Sequence, residues 1–129
     1  MSIKDAVRRT ELHEAVIDQD HSKVRDLITA GVAVDAVDRE GWTALHFAAQ
    51  NQDAKSIGML LESGASCNIQ DSFGNTALFR AVFNYRGAGE TIELLLAAGA
   101  LPDLANQSGT SPHQLANRIA NYDAAKFFM

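Results

Sequence analysis

The chain has 129 residues, which is the size of one domain or of one short repeat array. A hydrophobic fraction of 47% predicts a folded protein and argues against intrinsic disorder. Eleven basic and 16 acidic residues give a net charge of -5, which argues against nucleic acid as a partner because phosphate binding needs a clustered basic face. An acidic excess favours encounter with a basic protein surface, although it is also an ordinary source of solubility.

Cysteine usage and hydropathy indicate the compartment. Cys67 is the only cysteine, so no internal disulfide is expected and a reducing compartment fits. The first residues carry charges where a secretory signal needs an apolar stretch. The longest apolar run, Leu94–Leu101, is about a third of the length that a bilayer span requires. We therefore expect a cytoplasmic protein with no membrane-spanning segment.

The first part of the chain, residues 1–35, is predicted to form two helices. Their apolar residues recur at helical spacing: Leu12, Ala15, Val16, Val24, Leu27 and Ile28. Charged residues are dense around these positions. In a repeat array the terminal unit turns one face to water, so this unit is expected to be an N-terminal cap.

The most regular part of the chain is residues 36–68. The segment Asp38–Gly41 has Asp at the first and Gly at the fourth position of a turn, as type I turns favour. Thr43 follows as an N-cap for a short helix, and a second helix ends at Gly64, where glycine adopts a left-handed conformation at little cost. Two short helices and a turn cannot bury an apolar face alone, so this unit needs stacked neighbours.

The features of this unit recur along the chain at a fixed step. The N-cap positions are separated by 33, 33 and 35 residues: Thr10, Thr43, Thr76 and Ser111. The glycines that end helices keep the same step, with the last displaced by two: Gly31, Gly64 and Gly99. The paired apolar residues also keep it: Leu27–Ile28, Leu60–Leu61 and Leu95–Leu96. Several independent features with one period indicate a repeat protein.

A period near 33 and the motif at each N-cap resemble the ankyrin repeat, whose signature is Thr-Pro-Leu-His-x-Ala. Clear copies are Thr43–Ala48 (TALHFA) and Thr76–Ala81 (TALFRA), and weaker copies begin at Thr10 and Ser111. The resemblance covers nearly the whole chain. It implies an all-α solenoid of stacked helix-turn-helix units with short β-hairpin turns.

The array is predicted to contain four units: residues 1–35, 36–68, 69–103 and a truncated C-terminal cap at 104–129. The third unit has two extra residues between its helices, within Asn84–Glu90. Insertions in repeats often lie on the binding face, and Tyr85 and Arg86 are residue types that anchor interfaces. The alternative is a tolerated loop expansion, which costs little at a surface.

The end of the chain is predicted to form a second helix in the last unit, from Ala124 to Met129. Phe127 and Phe128 either fold back on the third unit as a cap or form a dimer contact. We expect a monomer, with a dimer through the C-terminal edge as the alternative.

No catalytic site, metal site or cofactor is predicted. No two histidines have the i, i+4 spacing of a helical metal pair, and Cys67 has no cysteine partner for zinc. No serine stands in a nucleophile-elbow motif. By resemblance, His13 and His46 hydrogen-bond the backbone of the adjacent turn. Residues at the repeat step are expected to bind backbone near the turns: Asp35, Asn68 and Asp103.

The surface is what remains for function. In proteins of this resemblance, the turn tips and the exposed side of the first helices form a groove that binds another protein. Carried over, the candidate residues are Arg39, Glu40, Trp42, Gln50, Asn51, Ser72, Phe73, Asn75, Phe83, Asn84, Tyr85, Arg86, Gln107, Ser108 and Thr110. Trp42, Phe73 and Phe83 matter most, because interfaces use aromatic anchors inside a polar rim. The alternative is that Trp42 and Phe73 stiffen neighbouring turns.

The predicted function is therefore non-catalytic binding of a protein partner in an uncharged-to-acidic groove. A narrower form is an inhibitor or immunity-type protein that occludes the active site of a basic enzyme or toxin. Whether the groove or the Tyr85–Arg86 loop makes the main contact stays open.

Overall fold

A computed structural model describes residues 9–119 and 124–128, which form helices joined by turns. The α-helices in these ranges are α1 (Glu11–Ile17), α2 (His21–Thr29), α3 (Ala44–Gln50), α4 (Ala54–Glu62), α5 (Ala77–Phe83), α6 (Glu90–Ala97) and α7 (Pro112–Arg118). A 3-10 helix, Ala124–Phe128, follows. The all-α prediction is confirmed, and within the described ranges the expected β-hairpins are turns without strands. The predicted start of the first unit before Arg9 and the end at Met129 lie outside these ranges.

The first helix of each pair begins where the sequence predicts. The side-chain oxygens of the N-cap residues accept the backbone N–H three positions on, in all four copies: Thr10, Thr43, Thr76 and Ser111. α4 ends before Gly64, whose φ of 94° lies in the left-handed region that favours glycine. These local signals fix the helix ends independently of the tertiary structure.

The helices stack in two rows, and the helices of the first row bury more apolar residues per unit than those of the second. α1, α3, α5 and α7 contact one another in order, as do α2, α4 and α6. Leu12, Leu45 and Leu78 fill the core of the first row. In two of the three apolar pairs one member is fully buried: Leu60 and Leu95 are interior, whereas Leu61 and Leu96 are half-buried. Both members of the first pair, Leu27 and Ile28, are half-buried. Each unit therefore depends on its neighbours for its core.

The turns are closed by side chains at the repeat step. Asp38 Oδ1 accepts the N–H groups of Glu40 and Trp42, each at 2.9 Å. Asp71 and Asn106 make the same pair of bonds in the next two turns. A backbone bond of 2.9 Å from Ser72 N–H to Glu40 O then joins adjacent tips. The tips thus form one continuous edge of the stack.

The expectation for the residues after each second helix is confirmed at two of three positions. Asp35 Oδ1 accepts the N–H of Ser66 at 3.0 Å. Asn68 Oδ1 accepts the N–H of Leu101 at 2.9 Å. Asp103 differs, because its Oδ1 lies 3.3 Å from Nδ1 of the His113 side chain.

The inserted loop between α5 and α6 receives the C-terminal segment. Tyr85 is 1% exposed, and its ring meets that of Phe127 edge-on at 5.7 Å between centroids. A Cβ atom placed on Gly89 would lie 1.9 Å from Phe127 Cζ, so the aromatic ring occupies that space. Phe128 stacks on His113 at 5.3 Å. Both phenylalanines pack inward, which supports the cap, and the reading of Tyr85 as a surface residue is wrong.

We expect Gly89→Ala to lower the free energy of unfolding by about 1–3 kcal/mol, because the new methyl group overlaps the Phe127 ring. Urea denaturation measures this loss. Gly58→Ala is the matched control, since nothing lies within 4 Å of a Cβ there. With Phe127→Ala in the background the Gly89→Ala penalty should disappear. An unchanged penalty would show that the ring does not occupy this slot.

Candidate protein-binding surface

The two buried histidines, His13 and His46, make hydrogen bonds to the backbone that connect adjacent units. His46 Nδ1 accepts the N–H of Thr43 at 3.0 Å, and Nε2 donates to Asn75 O at 2.9 Å. His13 Nε2 likewise donates to Trp42 O at 2.8 Å. Burial lowers the pKa of His46 below its ordinary value of 6.5. The neutral ring therefore joins one unit to the next turn, as the resemblance implies.

Cys67 is a packed thiol. It is 7% exposed, and its Sγ lies 3.7 Å from Ala98 O. Burial raises the pKa of this thiol above its ordinary value of 9.0, which disfavours the nucleophilic thiolate. In the part of the chain that the structure describes, no group of three or more His, Cys, Asp or Glu side chains is placed to hold a metal ion. None of the described helices is long and apolar enough to cross a membrane.

Stacked aromatic and guanidinium groups form the walls of a surface groove. The rings of Trp42 and Phe47 lie 4.7 Å apart between centroids. The guanidinium of Arg80 lies 4.7 Å from the centroid of Trp42, and that of Arg9 lies 5.3 Å from the centroid of Phe47. The groove has a volume of about 310 Å³ and is lined by Arg9, Asp38, Glu40, Trp42, Phe47, Gln50, Phe73 and Arg80. A shallow site of this kind suits a side chain or a short segment of another protein.

A family model of ankyrin repeats, in three copies, matches residues 12–108. The chain belongs to the ankyrin-repeat family. A comparison with curated proteins gives no significant match. Ankyrin repeats are generally protein–protein interaction modules, which supports a binding role for the exposed surface of this array.

Four of the predicted binding residues of this ankyrin array line the groove: Glu40, Trp42, Gln50 and Phe73. Phe73 is 61% exposed and Phe83 is 54% exposed. Phe83 is one turn along α5 from Arg80, so both side chains lie on the same face of that helix. The aromatic surface therefore runs from the turn tip along α5.

The ring of Trp42 lies partly in the interior of its own unit and partly in the lining of the groove. It is half-buried, because its ring packs on His46 and Phe47 of its own unit. The remaining face lines the groove. Phe73 makes a different contribution, since most of its ring is exposed.

The other predicted residues are distributed over the tips, the helix ends and the inserted loop. Several are exposed: Arg39, Ser72, Arg86, Gln107 and Ser108. Others are half-buried: Asn51, Asn84 and Thr110. Asn51 and Asn84 are the C-cap residues of α3 and α5. Asn75 is 7% exposed, and its Oδ1 accepts a 2.8 Å hydrogen bond from the side chain of Asn106. The Asn75 side chain is therefore structural.

The lining residues that the sequence prediction missed are Arg9, Asp38, Phe47 and Arg80. Phe47 and Arg80 occupy the variable fifth position of the ankyrin motif, 33 residues apart. Arg9 and Trp42 precede the N-cap threonine of their units. A comparison of these two motif positions between the repeat copies would have identified Arg9, Phe47 and Arg80 from the sequence. Their two guanidinium groups balance the carboxylates of Asp38 and Glu40 in the lining, which fits the uncharged end of the expected range.

Proposed function

We propose that the protein recognises another protein through the groove and the adjoining aromatic face of α5, without catalysing a reaction. The observation that carries this proposal is the exposure of Phe73 and Phe83, at 61% and 54%. Phe73 lines the groove and Phe83 lies further along α5, and large aromatic rings left in water gain free energy when a partner covers them.

The surroundings of these rings support the same role. Exposed polar side chains at the turn tips surround the aromatic surface: Arg39, Ser72, Gln107 and Ser108. Tryptophan and arginine, which form the stack in the groove, are the residue types most enriched among binding hot spots. An apolar centre with a polar rim is the usual anatomy of a protein interface.

The test compares affinities for a partner captured from native lysate and then purified. We expect the double variant Phe73→Ala, Phe83→Ala to bind at least about tenfold more weakly by calorimetry, since two anchors are truncated. Leu101→Ala is the matched control, because Leu101 is 51% exposed and lines a separate depression with Pro102 and Leu104. Equal affinity of the double variant and the wild type would contradict the proposal.

A narrower version is an inhibitor or immunity-type protein that occludes the active site of a basic enzyme. The net charge of -5 supports it, because an acidic protein steers a basic partner into contact. This version predicts that the association rate falls steeply with added salt and that the partner's activity is lost at saturation. A general scaffold predicts neither result.

We also propose that the protein acts as a monomer in the cytoplasm. The support is that Phe127 packs inward on Tyr85 and that the single cysteine is buried. Light scattering should give the mass of one chain, 13.9 kDa. A doubled mass that returns to this value on truncation after Lys126 would instead establish a dimer through the C-terminal edge.

A further inference from the structure

The two arginines of the groove are incompletely paired. Arg80 Nη2 lies 3.6 Å from Asp71 Oδ2, which is longer than the roughly 2.7–2.9 Å of a strong charge-assisted hydrogen bond. Asp71 Oδ2 and the Nε atoms of Arg9 and Arg80 are buried and make no hydrogen bond with the residues that the structure describes. Buried charged groups normally have their hydrogen bonds satisfied, so this arrangement is incomplete in the isolated chain.

The aromatic rings hold these arginines in place. Each guanidinium carbon lies over a ring, that of Arg80 at 4.7 Å from the Trp42 centroid and that of Arg9 at 5.3 Å from the Phe47 centroid. A cation over an aromatic face is attracted by the ring, and a guanidinium in this position keeps N–H donors for a ligand. The side chain of Arg80 keeps 19% of its exposure, so its terminal nitrogens are within reach of a ligand. The groove therefore presents oriented donors.

Most of the acidic groups around the groove are already engaged. Asp38 is 7% exposed, and its Oδ1 accepts two turn N–H groups. The side chain of Asp71 is 0% exposed, and its Oδ1 accepts two as well. Glu40 is the exposed carboxylate among the lining residues, and it belongs to the turn tip. The lining carries two arginines and two carboxylates, Asp38 and Glu40, so its formal charges balance, and the turn already occupies the Asp38 carboxylate.

We propose that the groove binds a carboxylate side chain, Asp or Glu, of the partner, next to an apolar side chain that packs on Phe73. The carboxylate accepts hydrogen bonds from the terminal nitrogens of Arg80, and Arg9 on the neighbouring ring supplies a second positive charge. This inference rests on the proposed function and specifies the chemistry of the bound segment. It is independent of the partner's overall charge, which acts at long range.

The test uses a phage-displayed library of random short peptides selected on the protein. We expect the selected peptides to carry Asp or Glu beside an aromatic or aliphatic residue. In a synthetic copy, Glu→Gln should weaken binding at least about tenfold. Trp42 is the only tryptophan in the sequence, and the Arg80 guanidinium lies over its ring. The fluorescence of Trp42 therefore reports occupancy of the groove. Selected peptides without acidic residues, or equal affinity of the Glu and Gln forms, would overturn the inference.

Variants of the protein assign the effect to the groove. Arg80→Gln should bind the Glu and Gln peptides equally, and Arg80→Lys should restore only part of the preference, because lysine lacks the planar donor fork. Arg25→Gln is the matched control, since Arg25 is an exposed arginine of α2 in a separate depression with Met59 and Glu62. It should keep the full preference. A preference that survives Arg80→Gln would overturn the inference.

Two further outcomes separate this inference from the proposed function. If inorganic phosphate shifts the Trp42 emission at the peptide's concentration, the groove is a general anion site and the inference is wrong. If peptides bind with no acid preference but lose affinity with Phe73→Ala, the inference fails and the proposed function stands. If neither peptides nor the captured partner respond to Phe73→Ala and Phe83→Ala, the proposed function fails.

Discussion

Leu60→Ala is expected to lower the free energy of unfolding by about 2–5 kcal/mol, and Leu61→Ala to lower it by clearly less. Leu60 in α4 is 0% exposed, whereas Leu61 is half-buried. Removing three carbons from a fully enclosed leucine loses their transfer free energy and leaves a cavity. At a half-buried site, water or a neighbouring side chain takes the space.

The adjacent pair is a matched comparison, because both substitutions change helix propensity and chain entropy equally. α4 contacts α2 on one side and α6 on the other, so the loss at Leu60 weakens two unit interfaces. Urea denaturation followed by circular dichroism measures both variants. Equal losses for the two leucines would contradict the burial difference on which the two-row packing depends.

The helix starts were predictable because their determinants are local. A threonine or serine N-cap needs only the backbone of its own first turn, so Thr43 and Ser111 mark helix ends from the sequence alone. The role of His46 followed from the family motif. That Leu60 rather than Leu61 is interior was not predictable from spacing, since both leucines lie on the apolar side of an amphipathic helix.

The candidate site was only partly predictable, because its remaining members depend on contacts distant in the sequence. Tyr85 follows α5 in a polar loop, and its burial depends on Phe127, far along the chain. Arg80 is a charged residue on an otherwise apolar helix, and its position over Trp42 depends on the stacking of two units. Reading the turn tips and helix ends therefore found Phe73 but missed Arg80.

His46→Ala is expected to lower the free energy of unfolding by about 2–4 kcal/mol at neutral pH. The substitution removes the acceptor for the N–H of Thr43, a residue that is 1% exposed, and the bond from Nε2 to Asn75 O. A buried donor left without a partner costs about 1–3 kcal/mol, and the loss of the ring adds a cavity. A loss below 1 kcal/mol, on the scale of an ordinary surface substitution, would contradict this role.

The pH dependence of the same variant tests the protonation state of His46. Burial lowers its pKa below the ordinary 6.5, with Arg80 acting in the same direction and Asn75, Asp71 and Asp38 opposing. The His46 imidazole therefore binds a proton more tightly in the unfolded chain than in the folded chain. The stabilisation that neutral His46 contributes is fully present above about pH 6.5 and is lost as the pH falls below that value. The difference between wild type and His46→Ala should shrink there, by at most about 1.4 kcal/mol per pH unit. Leu60→Ala removes no ionisable group, so its difference from wild type should stay constant. A constant difference for His46→Ala as well would mean that the ring is not held neutral by burial.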